Sequence, residues 1–181
     1  EQLGIPFRVV VSAHDESMRG GDPAQTVQQN ARGKAEDVLA REPLQAGELV
    51  LGVDTVVVLE GEIIGKARDE EEAARFVRRL AARTHEVYSG IYLTSRKVAL
   101  ATHAVTHVTF RSLTDADLNA YIASGEWRGR AGAYAIQGIG SGLVKSVDGD
   151  YFNVVGLPVA QLMRLLASIG ATPFSWLRPP L

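Results

Sequence analysis

Apolar residues recur along the chain at two spacings. In Ala24–Arg41, Val27, Ala31, Ala35, Val38 and Leu39 fall near the helical period; after Asp69, Ala73, Phe76, Val77 and Leu80 do the same. Asp69 with Glu72, and Thr114 with Asp117, read as caps of helices, the second running through TDADLNAYIASG to a stop at Gly125. Pro158 fits the first turn of a last helix, PVAQLMRLLASIG, closed by Gly170. β-branched runs predict strands at Phe7–Ala13, Leu49–Leu59, Glu86–Ser95 and Val98–Phe110. Glu60-Gly61 predicts a hairpin from VVVL into EIIG. GLVKSVDGDYFNVVG predicts a strand, a turn at Asp148-Gly149 and a returning strand. His14–Pro23 and the glycine-rich Trp127–Gly142 predict loops, and TPFSWLRPPL adds no element.

No repeat, linker or low-complexity segment interrupts these 181 residues, so the expectation is a single domain over 1–181. Interleaved helices and hairpin-paired strands predict an α/β fold. Its mixed, strongly bent sheet is flanked by helices, with a cleft between the sheet and the helical side.

Composition narrows the classes. Hydrophobic residues are 46% and charged residues 22%, as in globular proteins. A net charge of −2 supplies no large positive field, which argues against nucleic acid as a partner. No apolar run reaches the length of a membrane span, and no signal peptide is visible, so the expectation is a cytoplasmic protein without a membrane partner. The chain has no cysteine, which excludes thiolate nucleophiles and disulfides and fits a reducing compartment.

Candidate chemistry starts in LVLGVDTVVVLEG, where one acid, Asp54, interrupts an apolar run. An unpaired buried carboxylate costs several kcal/mol. Asp54 is therefore either satisfied at a strand end or serves as a metal ligand or general base. Lys66 follows Ile63-Ile64-Gly65, and Lys34 lies on the first helix; each reads as a solvated lysine or as a phosphate contact. Glu16 gains interest only if it converges with Asp54, since two or three oxygen ligands plus waters suit Mg²⁺. RAGAYAIQGIGSG, a glycine-rich loop, surrounds Gln137, whose amide could pair with a base edge. His103 and His107 share a strand face but find no third zinc ligand, and His85 reads as a structural hydrogen-bonder.

GVDTVVVLEGEIIGK, RTHEVYSG, AGAYAIQG and GDYFNVVGLP occur in that order. Together they resemble the Maf family of nucleoside triphosphate pyrophosphatases, over nearly the whole chain. The resemblance implies a two-lobed α/β fold similar to the inosine triphosphate pyrophosphatases. It implies hydrolysis of a nucleoside triphosphate between the α and β phosphates with a divalent cation, Mg²⁺ or Mn²⁺. It places the catalytic aspartate at Asp54, phosphate-region lysines at Lys34 and Lys66, and the early loop glutamate at Glu16, with Asp54 and Glu16 holding the metal. Thr55 and Gln137 match the branch that prefers dTTP and UTP rather than 7-methyl-GTP. Ala67 stands where many members have Pro. Arg130 stands where many have Lys, keeping the charge as a planar fork. The family opens with a strand and an SxSxRR loop ahead of the segment matched by EQLGIPF; a chain without them is expected to lose activity severely, along with the pairing of one central strand. A homodimer is also implied. The alternative to an enzyme is a nucleotide-binding regulator of cell division that does not turn substrate over.

Overall fold

The computed structural model describes residues 3–16 and 21–171. Five strands form one sheet in the order β2-β1-β3-β4-β5, and every ladder among the described residues is antiparallel. In chain order the elements are α1 (Pro23–Arg41), β1 (Val50–Leu59), β2 (Glu62–Ile64), α2 (Glu70–Leu80), β3 (Thr84–Thr94), β4 (Ala99–Phe110), α3 (Asp115–Ser124), β5 (Val144–Asp148), α4 (Tyr151–Val155) and α5 (Val159–Ser168), with a 3₁₀ turn over Gly138–Leu143.

The two periods place the layers. Alternation along β1 sends Val50, Gly52, Asp54, Val56 and Val58 toward α1, and Val57 and Leu59 into the larger core with α2 and α3. That core is closed by Trp127, Tyr121, Phe110 and Tyr134, all buried. α1 rests directly on two glycines of neighbouring strands: a Cβ at Gly52 would overlap the Ala31 carbonyl oxygen, and one at Gly90 would overlap the Val27 carbonyl. Glu60 and Gly61, both at positive φ, make the tight β1–β2 hairpin turn. β2 pairs only with Val57–Leu59, so Val50–Val56 has β3 on one side and no strand on the other among the described residues.

The predicted helices form, and their caps are those expected. Asp69 accepts from the Glu72 N–H at 2.8 Å, and Thr114 and Asp117 make a reciprocal capping box. Two predicted strands do not form. Phe7–Ala13 has no ladder partner among the described residues; side-chain bonds attach it to α1 instead, with Asp37 accepting from Ser12 Oγ and Ala13 N, and Arg41 donating to the Val11 carbonyl. Its valines Val9 and Val11 are 80% and 83% exposed. The return after Asp148-Gly149 is the short helix α4, because Asp150 caps the Phe152 N–H and the buried Asn153 bonds sideways into the sheet. The tail from Thr172, and Ser17–Gly20 of the predicted first loop, lie outside the described residues. No described helix is long and apolar enough to cross a membrane.

Candidate active site

A cleft of about 240 Å³ opens at the unpaired edge of β1 and is lined by all seven residues singled out from the sequence: Glu16, Lys34, Asp54, Thr55, Lys66, Arg130 and Gln137. Asp54 and Thr55 are neighbours on β1, so alternation turns them to opposite faces, and the cleft wraps the edge to reach both.

On the α1 face, helical spacing puts Asn30 and Lys34 one turn apart above Asp54. Asn30 Nδ2 donates to Asp54 Oδ2 at 2.9 Å, and Lys34 Nζ donates to Asp54 Oδ1 at 2.7 Å and to the Val53 carbonyl at 3.3 Å. The acid that interrupts the apolar run is thus 6% exposed and held by an amide and an ammonium. Lys34 also pairs with Glu16 at 2.8 Å, and Glu16 pairs with Lys66 at 3.0 Å. The result is an alternating array, Asp54–Lys34–Glu16–Lys66. Burial raises the Glu16 pKa, but hydrogen bonds from Lys34 and Lys66 more than reverse this and leave it below the ordinary value. Burial likewise lowers the Lys34 pKa, and its bonds to Asp54 and Glu16 outweigh that, so the ammonium is held charged.

The Lys66 backbone bridges to Ala131, and the Gly132 N–H donates to the Ile64 and Gly65 carbonyls, which pins the glycine-rich loop beside the charged array. Arg130 and Gln137 stand exposed on that loop, and Arg130 makes no ion pair among the described residues. Ala133, between them, is buried at φ 56°, a left-handed conformation that the packed loop enforces on a non-glycine residue.

The opposite wall has a different chemistry. Thr55 lies with Val57, Val87, Tyr134, Val154 and Val155, and no charged side chain stands among them. Thr55 Oγ1 is 2.7 Å from Ser89 Oγ, its register partner on β3. Further in, His85 Nε2 meets the Tyr134 hydroxyl at 2.9 Å, edge-on to Phe110. Burial pulls the His85 pKa down to about 4 and pushes the Tyr134 phenol up, so both stay neutral. His103 and His107 go elsewhere, to Gln28 and Glu86 respectively.

Glu16 and Asp54 converge on one point, since both touch the same Lys34 nitrogen. Among the described residues no three His, Asp or Glu side chains cluster for a metal, so this pair of carboxylates is the oxygen donor set the cleft offers. All four of their oxygens are engaged by Lys34, Lys66 or Asn30; carboxylate oxygens are the donor type a hard cation such as Mg²⁺ takes, with waters and substrate phosphates completing its shell.

Three residues of the site escaped the sequence reading: Asn30, Ser89 and Asn153, each buried. Asn30 carried a signal. It lies four residues before Lys34, beside Val27 and Ala31 on the stripe the pattern buries, where a polar residue needs a partner. Ser89 and Asn153 carried none apart from their place within the RTHEVYSG and GDYFNVVGLP motifs.

A family model described as "Maf-like protein" matches residues 1–169. A relative from Moorella thermoacetica is 46% identical over 93% of this chain and 87% of its own length; one from Deinococcus radiodurans is 41% identical over 95% and 87%. One from Escherichia coli O157:H7 is 42% identical over 94% and 86%, and all three are named dTTP/UTP pyrophosphatase. With residues 1–169 of this chain's 181 matched by the family model, and relatives this similar, the chain belongs to the Maf family.

Proposed function

We propose that this protein is a nucleoside triphosphate pyrophosphatase that hydrolyses dTTP and UTP to the monophosphate and pyrophosphate, acting on a cytoplasmic nucleotide pool. The observation that carries the reading is one cleft with two walls. The Asp54–Lys34–Glu16–Lys66 array suits a triphosphate with its cation, and the uncharged wall at Thr55 suits a pyrimidine base. The names of the relatives support the same substrates.

Glu16 and Asp54 are the residues that would hold the divalent cation. Bound there, it would offset phosphate charge and withdraw electron density from the phosphoryl oxygens. Lys34 and Lys66 then leave their carboxylate partners and donate to phosphate oxygens, joined by Arg130 from the loop. Asp54 orients a water against the α-phosphorus and takes its proton. The new P–O bond forms as the α–β bridging P–O bond breaks, and pyrophosphate leaves with the electron pair. Asn30 keeps the Asp54 carboxylate from rotating.

The test is incubation with Mg²⁺ or Mn²⁺ and a panel of dTTP, UTP, CTP, dATP, GTP and 7-methyl-GTP, following pyrophosphate and monophosphate together. The expected result is equimolar release of both, over many turnovers, chiefly from dTTP and UTP. Stoichiometric binding without release, or release of single phosphates, overturns the proposal.

A further inference from the structure

The Thr55 hydroxyl is already engaged inside the protein, and the direction of that engagement can be worked out. Ser89, fully buried, contacts two oxygens: Thr55 Oγ1 at 2.7 Å and the backbone carbonyl oxygen of Asn153 at 3.2 Å. A carbonyl oxygen only accepts, and a serine hydroxyl has one proton. Ser89 therefore donates to Asn153; the alternative sets two oxygens with lone pairs against each other in a buried site. It follows that Thr55 donates to Ser89. With its proton committed, Thr55 Oγ1 offers the cleft lone pairs only.

The anchor that sets this direction is rigid. Asn153 Nδ2 donates to the Val87 carbonyl at 2.9 Å and to Thr106 Oγ1 at 3.0 Å, and the Asn153 carbonyl also accepts from the Gly156 N–H at 3.0 Å. Ser89 and Asn153 are both fully buried, so no water competes for these bonds.

We propose that Ser89 is a specificity-determining positioning residue: by taking the Thr55 proton it makes Thr55 an obligate acceptor, which selects bases that present an N–H at the pairing edge. The inference rests on the pyrophosphatase reading of the cleft. Uracil and thymine carry the imide N3–H and satisfy Thr55. Cytosine presents a lone pair at N3, and adenine one at N1, so each would face acceptor against acceptor. The device does not separate uracil from guanine, whose N1–H is also a donor. Ser89 acts through Thr55 and touches no substrate.

A purely structural role for Ser89, holding α4 to the sheet, would lower stability and affect all substrates alike. The test therefore reads ratios. Wild-type protein is assayed on UTP, CTP and 3-methyl-UTP, which lacks the N3–H, and Ser89→Ala and Thr55→Val are assayed on UTP and CTP. The wild type is expected to favour UTP over CTP and over 3-methyl-UTP by about 100-fold in kcat/KM, as a site built around one substrate N–H rejects analogues without it. In Ser89→Ala the Thr55 hydroxyl can turn and donate to cytosine N3, so the UTP-to-CTP ratio falls about tenfold, with CTP improved in absolute terms. Thr55→Val lowers the UTP value without lowering that for CTP. Equal use of UTP and 3-methyl-UTP by the wild type overturns the proposal, and this result stands even if Ser89→Ala fails to fold. A folded Ser89→Ala that loses UTP and CTP activity in equal proportion also overturns it. If the wild type releases no pyrophosphate from dTTP or UTP, the reading of the cleft falls and takes this proposal with it; turnover with an unchanged ratio removes the Ser89 proposal alone.

Discussion

Asp54 and Thr55 are consecutive residues on β1, yet they stand in opposite environments. Asp54 sits under α1 within a chain of four alternating charges; Thr55 sits across the sheet among valines and an uncharged Tyr134. Charges are affordable on the first side because each has an opposite partner there, and the second side excludes them. On the proposed function, the contrast lets one strand edge take a triphosphate at one wall and a base at the other. Both walls depend on the same short strand, but through different neighbours: α1 for the first, β3 and α4 for the second.

Breaking the charged wall should have the largest effect. Asp54→Asn keeps the shape and the Asn30 contact but removes the proton acceptor and one cation ligand, and is expected to lower kcat by about 10³-fold at saturating divalent cation. Near-normal turnover of this variant would remove Asp54 from the chemistry. Next comes the seat of α1. Gly90→Val would drive a side chain into the Val27 carbonyl and lift Asn30 and Lys34 away from Asp54. A displacement of that kind should cost about 100-fold in kcat while affinity for the monophosphate product, held partly at the Thr55 wall, falls much less. Parallel losses of kcat and product affinity would show that the two walls are not separable. Lys66 is half exposed and shares Glu16 with Lys34. Lys66→Ala is expected to raise KM about tenfold with a smaller change in kcat; an unchanged KM would take Lys66 out of the substrate site.

The smallest expected effect concerns how the neutral wall stays neutral. His85 is buried uncharged with a pKa of about 4, against an ordinary value of about 6.5 when unfolded. Between those values the unfolded chain binds the extra proton, so folding stability falls as pH drops from about 6.5 to 4, by on the order of 3 kcal/mol in all, and this group adds nothing further below that. Arginine-paired carboxylates act lower. Glu72, held at about 2 by Arg68, and Asp117, held down by Arg111, contribute stability that is present above their unfolded values of 4.5 and 3.8 and is lost as pH falls below them. Urea midpoints between pH 7 and 4 should therefore slope in the wild type and flatten in His85→Gln. Identical slopes in the two proteins would sink the assignment.

The same contrast explains what could be read from the sequence. Long elements were legible from their apolar pattern, α1 and α2 burying one face and β1 and β3 running apolar on both, and the caps at Asp69 and Thr114 were legible because they are local. Asp54 stood out because an acid in an apolar run demands a reason; Lys34, Lys66, Glu16 and Arg130 were ambiguous on their own and were named through the resemblance of the motifs, and the structure brings them to the same cleft. Phe7–Ala13 misled because β-branched composition says nothing about whether a neighbouring strand is present. α4 was missed because its five residues are too few to show a period; it is held by Asp150 and Asn153, tertiary contacts that no window contains. Ser89 and Asn153 were invisible for the same reason, since their importance lies in which oxygen each faces.

The β1–β3 register carries a further consequence. The two strands pair without a break from Val50↔Thr94 to Val58↔Glu86. A slip of β1 by one residue would turn every side chain over, delivering the threonine hydroxyl to the α1 ammonium and the carboxylate to the valine wall. Nothing would need to unfold for both proposed binding functions to vanish together. The tight Glu60-Gly61 turn and the seating of α1 on two glycines are therefore alignment devices as much as packing features. They ensure that the chain can be threaded into this sheet in the one phase that works.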